Sequence, residues 1–89
     1  MTWRIEILEP AITDLRKIGQ QDAGRIQKFL HERLAKLEDL RAIGGALRGE
    51  RLGEFWKYRA GDFRVIARIE DQRLLIVVVR ASHRREVYR

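Results

Sequence analysis

Apolar and polar residues alternate from Trp3 to Leu8, with Trp3, Ile5 and Ile7 on one side and Arg4 and Glu6 on the other, which predicts a half-buried first strand. The period then lengthens. Pro10 suits the first turn of a helix, where its missing N–H is no loss, and Ala11, Ile12, Leu15 and Ile18 keep helical spacing until Gly19, which serves as a C-cap. From Asp22, read as an N-cap, to Leu40, the apolar positions Ile26, Phe29, Leu30, Leu34, Leu37 and Leu40 recur at threes and fours opposite Arg25, Gln27, Lys28, Glu32 and Lys36. That spacing predicts one long amphipathic helix. Gly44-Gly45 ends the pattern, and a connector anchored by Leu47 and Leu52 runs to Gly53.

Two β-prone runs then flank Gly61-Asp62. A two-residue loop with glycine first predicts a type II′ hairpin, because glycine takes positive φ without steric cost. The loop fixes the register: Ala60 pairs with Phe63, Arg59 with Arg64, Tyr58 with Val65, Lys57 with Ile66 and Trp56 with Ala67. Since strand side chains alternate, Trp56, Tyr58, Ala60, Phe63, Val65 and Ala67 form a core face, and Lys57, Arg59, Arg64, Ile66 and Arg68 form a cationic one. After the polar turn Glu70-Asp71-Gln72-Arg73, the run from Leu74 to Val79 is continuously apolar, as in a central strand covered on both faces. An antiparallel return sets Val78 or Val79 beside Arg64, so that Arg80, Ser82, His83, Arg84 and Arg85 leave the sheet near the Arg59/Arg64 pair. The face that Arg80 joins depends on the residue count of the turn, because a shift of one residue reverses parity. The expected architecture is α+β, in the order β-α-α-β-β-β: two N-terminal helices packed on a mainly antiparallel four-stranded sheet.

Composition sharpens this picture at the cationic face. The 89 residues suit one domain, residues 1–89, with a modest core. The net charge of +6 points to nucleic acid or an acidic protein as partner. The excess is uneven: eight Lys/Arg face seven Asp/Glu up to Ala46, and eleven face six from Leu47 onward. With no cysteine, disulfide frameworks and thiolate metal sites are excluded, and His31 and His83 alone make a poor zinc site. No cofactor is expected. The longest apolar run is far short of a membrane span and the N-terminus lacks a signal peptide, so a cytoplasmic protein is expected. Trp3, Trp56 and Tyr58 are assigned to the core and His31 to the surface.

Arg59 and Arg64, directly opposite on one face, repel by about 1 kcal/mol in water and roughly 3 kcal/mol at an effective dielectric of ~20. A polyanion laid across the face reverses the sign of that interaction. Lys57, Arg59, Arg64, His83 and Arg84, and with them Tyr88 of the tail, are expected to converge on one end of the sheet. Guanidinium forks bind phosphate bidentately, a lysine crowded by cations can act as a base, and histidine and tyrosine add proton transfer or base stacking. Such a set can cleave RNA without a metal. A base removes the 2′-OH proton, the oxygen attacks the adjacent phosphorus, cations hold the dianionic transition state and an acid protonates the leaving 5′-oxygen. The cationic face lacks an obvious carboxylate base.

The element order, the Leu-Arg-Gly connector, Trp56-Lys57-Tyr58-Arg59, Gly61-Asp62-Phe63-Arg64-Val65 and the closing His83-Arg84-Arg85-Glu86-Val87-Tyr88-Arg89 together resemble the RelE/ParE superfamily of bacterial toxins, closer to RelE, over essentially the whole chain. The resemblance implies a RelE-like fold and a type II toxin that enters the A site of the 70S ribosome and cuts mRNA there, neutralised by an acidic RelB-like antitoxin. It implies site positions at Lys57, Arg59, Arg64, Arg84 and Tyr88, with His83 as a further proton carrier. Arg48, Arg51, Arg68, Arg80 and Arg85 are assigned to RNA backbone contacts. Where the family often has a second lysine this chain has Arg59, which cannot act as a base at ordinary pH, so if the reaction uses a neutral amine Lys57 supplies it, and His83 is the alternative proton carrier. The alternatives are a ParE-like inhibitor of DNA gyrase with the same fold and a non-catalytic nucleic-acid-binding module.

Overall fold

The computed structural model describes residues 2–47 and 55–83. Strand β1 (Arg4–Ile7) leads into helix α1 (Glu9–Ile18), which has Pro10 in its first turn and closes on Gly19 at φ 106°. Helix α2 (Gln20–Lys28) follows at once, then the short edge strand β2 (Gly45–Ala46) and the three long strands β3 (Phe55–Ala60), β4 (Phe63–Glu70) and β5 (Leu75–His83). The sheet order is β1-β5-β4-β3-β2, with β1 parallel to β5 and every other pair antiparallel. The expected α+β fold is present, with a fifth, two-residue strand that the glycine pair had hidden.

The hairpin register is the one the Gly61-Asp62 loop dictates, from Phe55↔Arg68 to Ala60↔Phe63. Gly61 takes φ 62° and Asp62 does not take positive φ, as a type II′ turn requires. Tyr58, Val65, Ala67, Ile76, Val78 and Ala81 join Trp3, Ala11, Leu15, Ile26, Leu30 and Leu34 in one core under the helices. Leu75 and Val77 are also buried, on the opposite face, so β5 is indeed a central strand covered on both sides.

The long second helix is corrected. Asp22 lies in the first turn of α2 rather than at its N-cap, which is Gly19. A π turn at Phe29–Arg33 and a 3-10 turn at Leu34–Lys36 follow, and Leu37 is extended. Leu40 reaches the core from a separate 3-10 turn, Leu40–Ala42. Threefold spacing of leucines is satisfied as well by successive tight turns as by a helix, and here tertiary hydrogen bonds choose the turns. Trp3 donates from Nε1 to the Leu37 carbonyl at 3.2 Å, Tyr58 from its hydroxyl to the Leu40 carbonyl at 2.7 Å, and Trp56 from Nε1 to the Ile43 carbonyl at 2.7 Å. Three core aromatics thus take up the carbonyls that an interrupted helix leaves open. Burial pushes the Tyr58 hydroxyl well above its ordinary pKa, so it stays a donor. Gly44, at φ 78°, passes so close that a Cβ there would strike the Lys57 carbonyl and Trp56 Nε1.

The return of β5 is corrected too. Asp71–Arg73 forms a 3-10 turn and Leu74 takes the left-handed conformation at φ 49°. Leu74 therefore belongs to the turn, and Arg64 pairs with Ser82 instead of Val78 or Val79. The strand runs on to His83, so Arg80, Ser82 and His83 lie within the sheet.

Candidate functional site

The face of the sheet away from the helices is built in ranks, each set by the register. Nearest the hairpin tip stand Arg59, Arg64 and Ser82; the next rank holds Gly45, Lys57, Ile66 and Arg80; the third holds Phe55, Arg68, Val77 and Glu6. Successive ranks are about 6.6 Å apart, two residues of strand rise. Arg59 and Arg64 are direct cross-strand partners, and the Lys57 stem lies over Gly45, where a Cβ would sit 3.6 Å from Lys57 Cε. The expected plate of Lys57, Arg59 and Arg64 is thereby assembled.

Its charges are not equally compensated. Arg68 is held by Glu70 at 3.2 Å, and Glu70 also accepts from Arg73 at 2.9 Å. Those hydrogen bonds, that of Arg73 foremost, keep the Glu70 carboxyl below its ordinary pKa. Arg80 bends round the edge of β5 that β1 leaves uncovered and donates to both oxygens of Asp14, at 2.8 and 3.1 Å. The same carboxylate accepts from the Ala81 N–H at 3.0 Å, so it substitutes for the missing neighbouring strand. Burial pushes the Asp14 pKa up, but the hydrogen bonds from Arg80 and Ala81 and the charges of Arg80 and Lys17 outweigh it and hold the carboxyl below its usual value. Nearer the tip, no carboxylate among the described residues pairs with Lys57 or Arg59, and the one acceptor for Arg59 among those residues is the Gly61 carbonyl, at 3.4 Å. Arg68 and Arg80, assigned to RNA from the sequence, are thus occupied within the fold.

His83 does not join the plate. It pairs with Phe63 and sets its ring edge-on to that ring at 5.4 Å, on the helix side. The reason is a bulge. Ile66 pairs with Arg80 while Ala67 pairs with Val78, leaving Val79 as an extra residue. That residue reverses the parity of everything after it. It carries His83 off the cationic face and puts Ser82 beside Arg64. Arg48, Arg51, Arg84, Arg85 and Tyr88 lie outside the described residues.

Two residues of this face were given no role in the sequence. Ser82 was expected only to leave the sheet near Arg59 and Arg64, and its place within the sheet beside Arg64 required the bulge, which leaves no signal in a run of valines. Phe55 was legible, since it shares the parity of Lys57 and Arg59. Among the described residues no group of His, Cys, Asp or Glu is placed to hold a metal, and no helix is long and apolar enough to cross a membrane.

Two helices on one side of a mixed sheet, with a basic hairpin open on the other, define a RelE-like fold. A family model of the ParE toxin of the type II toxin-antitoxin system parDE matches residues 5–88. Toxin RelG of Mycobacterium tuberculosis is 32% identical over 89 residues, covering 100% of this chain and 99% of that protein. Among solved structures, the toxin-antitoxin complex RelBE2 from Mycobacterium tuberculosis matches with a TM-score of 0.83 at 26% identity, over 93% of this chain and 92% of the other. The archaeal RelE-RelB complex from Pyrococcus horikoshii OT3 matches with a TM-score of 0.71 at 22% identity, over 98% and 100%. The chain belongs to the RelE/ParE superfamily of type II toxins.

Proposed function

We propose that this toxin is a ribosome-dependent endoribonuclease that cleaves mRNA in the A site by attack of a 2′-OH on the adjacent phosphate. The observation that carries the reading is the Arg59–Arg64 cross-strand pair with Lys57 one rank behind, on an open face where Lys57 and Arg59 have no carboxylate partner among the described residues. Guanidinium groups so placed bind a phosphate and stabilise the additional charge of its transition state. Lys57 is the plate residue able to accept the 2′-OH proton, since guanidinium does not release one. The leaving 5′-oxygen takes a proton from water at this open face. Resemblance to the family adds Arg84 near the leaving group and Tyr88 orienting a neighbouring base. His83, held against Phe63 on the helix side, is left out of the reacting set.

The relatives solved with RelB-type partners support a cognate antitoxin for this chain. Its chemistry is acidic, to match the charge excess beyond Leu47. Affinity of the toxin-antitoxin complex should fall steeply from low to high ionic strength; a flat response would assign the docking to apolar contacts instead. Action on ribosomes and mRNA places the protein in the cytoplasm.

The reading is tested by adding the toxin to a translating extract and mapping mRNA 5′ ends. Cuts within A-site codons are expected from the wild type and not from Arg64→Ala. Growth arrest with intact mRNA would remove the nuclease reading. The ParE description of the matching family model favours a second reading, inhibition of DNA gyrase, and DNA breaks with filamentation on expression would establish it.

A further inference from the structure

Phe55 is the one aromatic residue that the described part of the sheet places on its cationic face. Its neighbours in β3, Trp56 and Tyr58, turn to the helix side and each has a hydrogen-bond partner there. Phe55 is half-buried, takes no part in the core beneath the helices, and stands one rank from Lys57 and two from the Arg59–Arg64 pair. Its cross-strand partner Arg68 is drawn toward Glu70, one rank farther from the tip.

We infer that Phe55 is a stacking platform for an unpaired nucleobase of the RNA whose backbone crosses the Arg59–Arg64 rank. An aromatic ring beside cations is how single-stranded nucleic acid is held: the cations follow the phosphates and the ring takes a base, because every base has a π-face. Two ranks of about 6.6 Å each separate the ring from the guanidinium pair, so the base belongs to a nucleotide beyond the one at the cut. This deepens the ribonuclease reading by giving the site a second point of attachment that carries no chemistry.

The test uses binding rather than cleavage. The full-length toxin is titrated with short single-stranded RNA in which every 2′-OH is methylated, so that no attack can occur, and with the same RNA made abasic at each position in turn. An abasic nucleotide at one position should weaken wild-type binding roughly 10- to 100-fold. Phe55→Leu should weaken binding of the intact RNA by the same factor and be indifferent to that abasic position, and Phe55→Tyr should bind and discriminate as the wild type does. Equal affinity of Phe55→Leu and wild type, or an abasic penalty that survives in Phe55→Leu, overturns the inference. So does loss of the fold in both Phe55→Leu and Phe55→Met, which would make the ring a core residue. Coupled stacking without mRNA cuts in the translating extract would keep the platform and remove the nuclease, so the two failures are distinguishable.

Discussion

The two faces of the β3–β4 hairpin are built by opposite rules from alternating residues of the same strands. On the helix side, polar atoms are few and matched: the Tyr58 hydroxyl and Trp56 Nε1 each meet a backbone carbonyl of the 40–43 segment. On the open side, charge is abundant and carboxylates are few: among the described residues Glu70 and Asp14 take Arg68, Arg73 and Arg80, and no carboxylate pairs with Lys57 or Arg59. A buried face must satisfy every polar group because the alternative is desolvation without a partner. A solvated face can leave cations such as Lys57 and Arg59 without a carboxylate at small cost, and the proposed site draws on them. The difference separates residues that hold the fold from residues on which the proposed chemistry depends.

The contrast breaks most visibly at Tyr58. Tyr58→Ala removes a side chain that is 1% exposed together with its bond to Leu40, and should cost about 3–5 kcal/mol. Urea unfolding followed by circular dichroism measures this, and a loss under 1 kcal/mol would show that the 37–43 segment is not held by the sheet. Across the strand pair, Arg64→Ala should lower cleavage roughly 10²- to 10³-fold while the far-ultraviolet spectrum stays that of the wild type. Undiminished cutting would show that phosphate is held elsewhere.

Asp14→Asn tests the compensated end of the open face and should cost about 1–3 kcal/mol at neutral pH, since the carboxylate is only 11% exposed and serves both Arg80 and the Ala81 N–H. Because the folded carboxyl titrates below its ordinary value, its stabilisation is complete above about pH 4 and is lost as pH falls through the depressed value. The stability difference between wild type and Asp14→Asn should therefore shrink on acidification below pH 4. A difference that stays constant would mean that the charge plays no part. The smallest effect is expected at Arg59, which has no carboxylate partner among the described residues: Arg59→Ala should leave stability unchanged or raise it by up to about 1 kcal/mol at low salt, a gain that salt abolishes. A clear loss of stability would mean that the pair is not repulsive in the folded chain.

Much of the fold was legible because its signals are local. Gly61-Asp62 dictates a turn whose geometry leaves one register, and that register alone assigns Lys57, Arg59 and Arg64 to one face and Tyr58 and Val65 to the other. The apolar run after Leu74 announces a central strand because both of its faces are dry. The periodic leucines from Leu34 to Leu40 were legible as core but not as structure, since helix and tight turns satisfy the same spacing.

By itself, then, the sequence determined the hairpin, its parity and the concentration of positive charge in the second half of the chain, all of which follow from neighbours a few residues apart. Tertiary structure alone decided where the second helix stops, which carboxylates neutralise which arginines, and that Ser82 rather than His83 stands beside Arg64. The last of these turns on one extra residue, Val79, placed by the fit of β5 against β4 on one side and α1 on the other. A bulge of that kind is selected by packing between distant segments, and a run of valines carries no local trace of it.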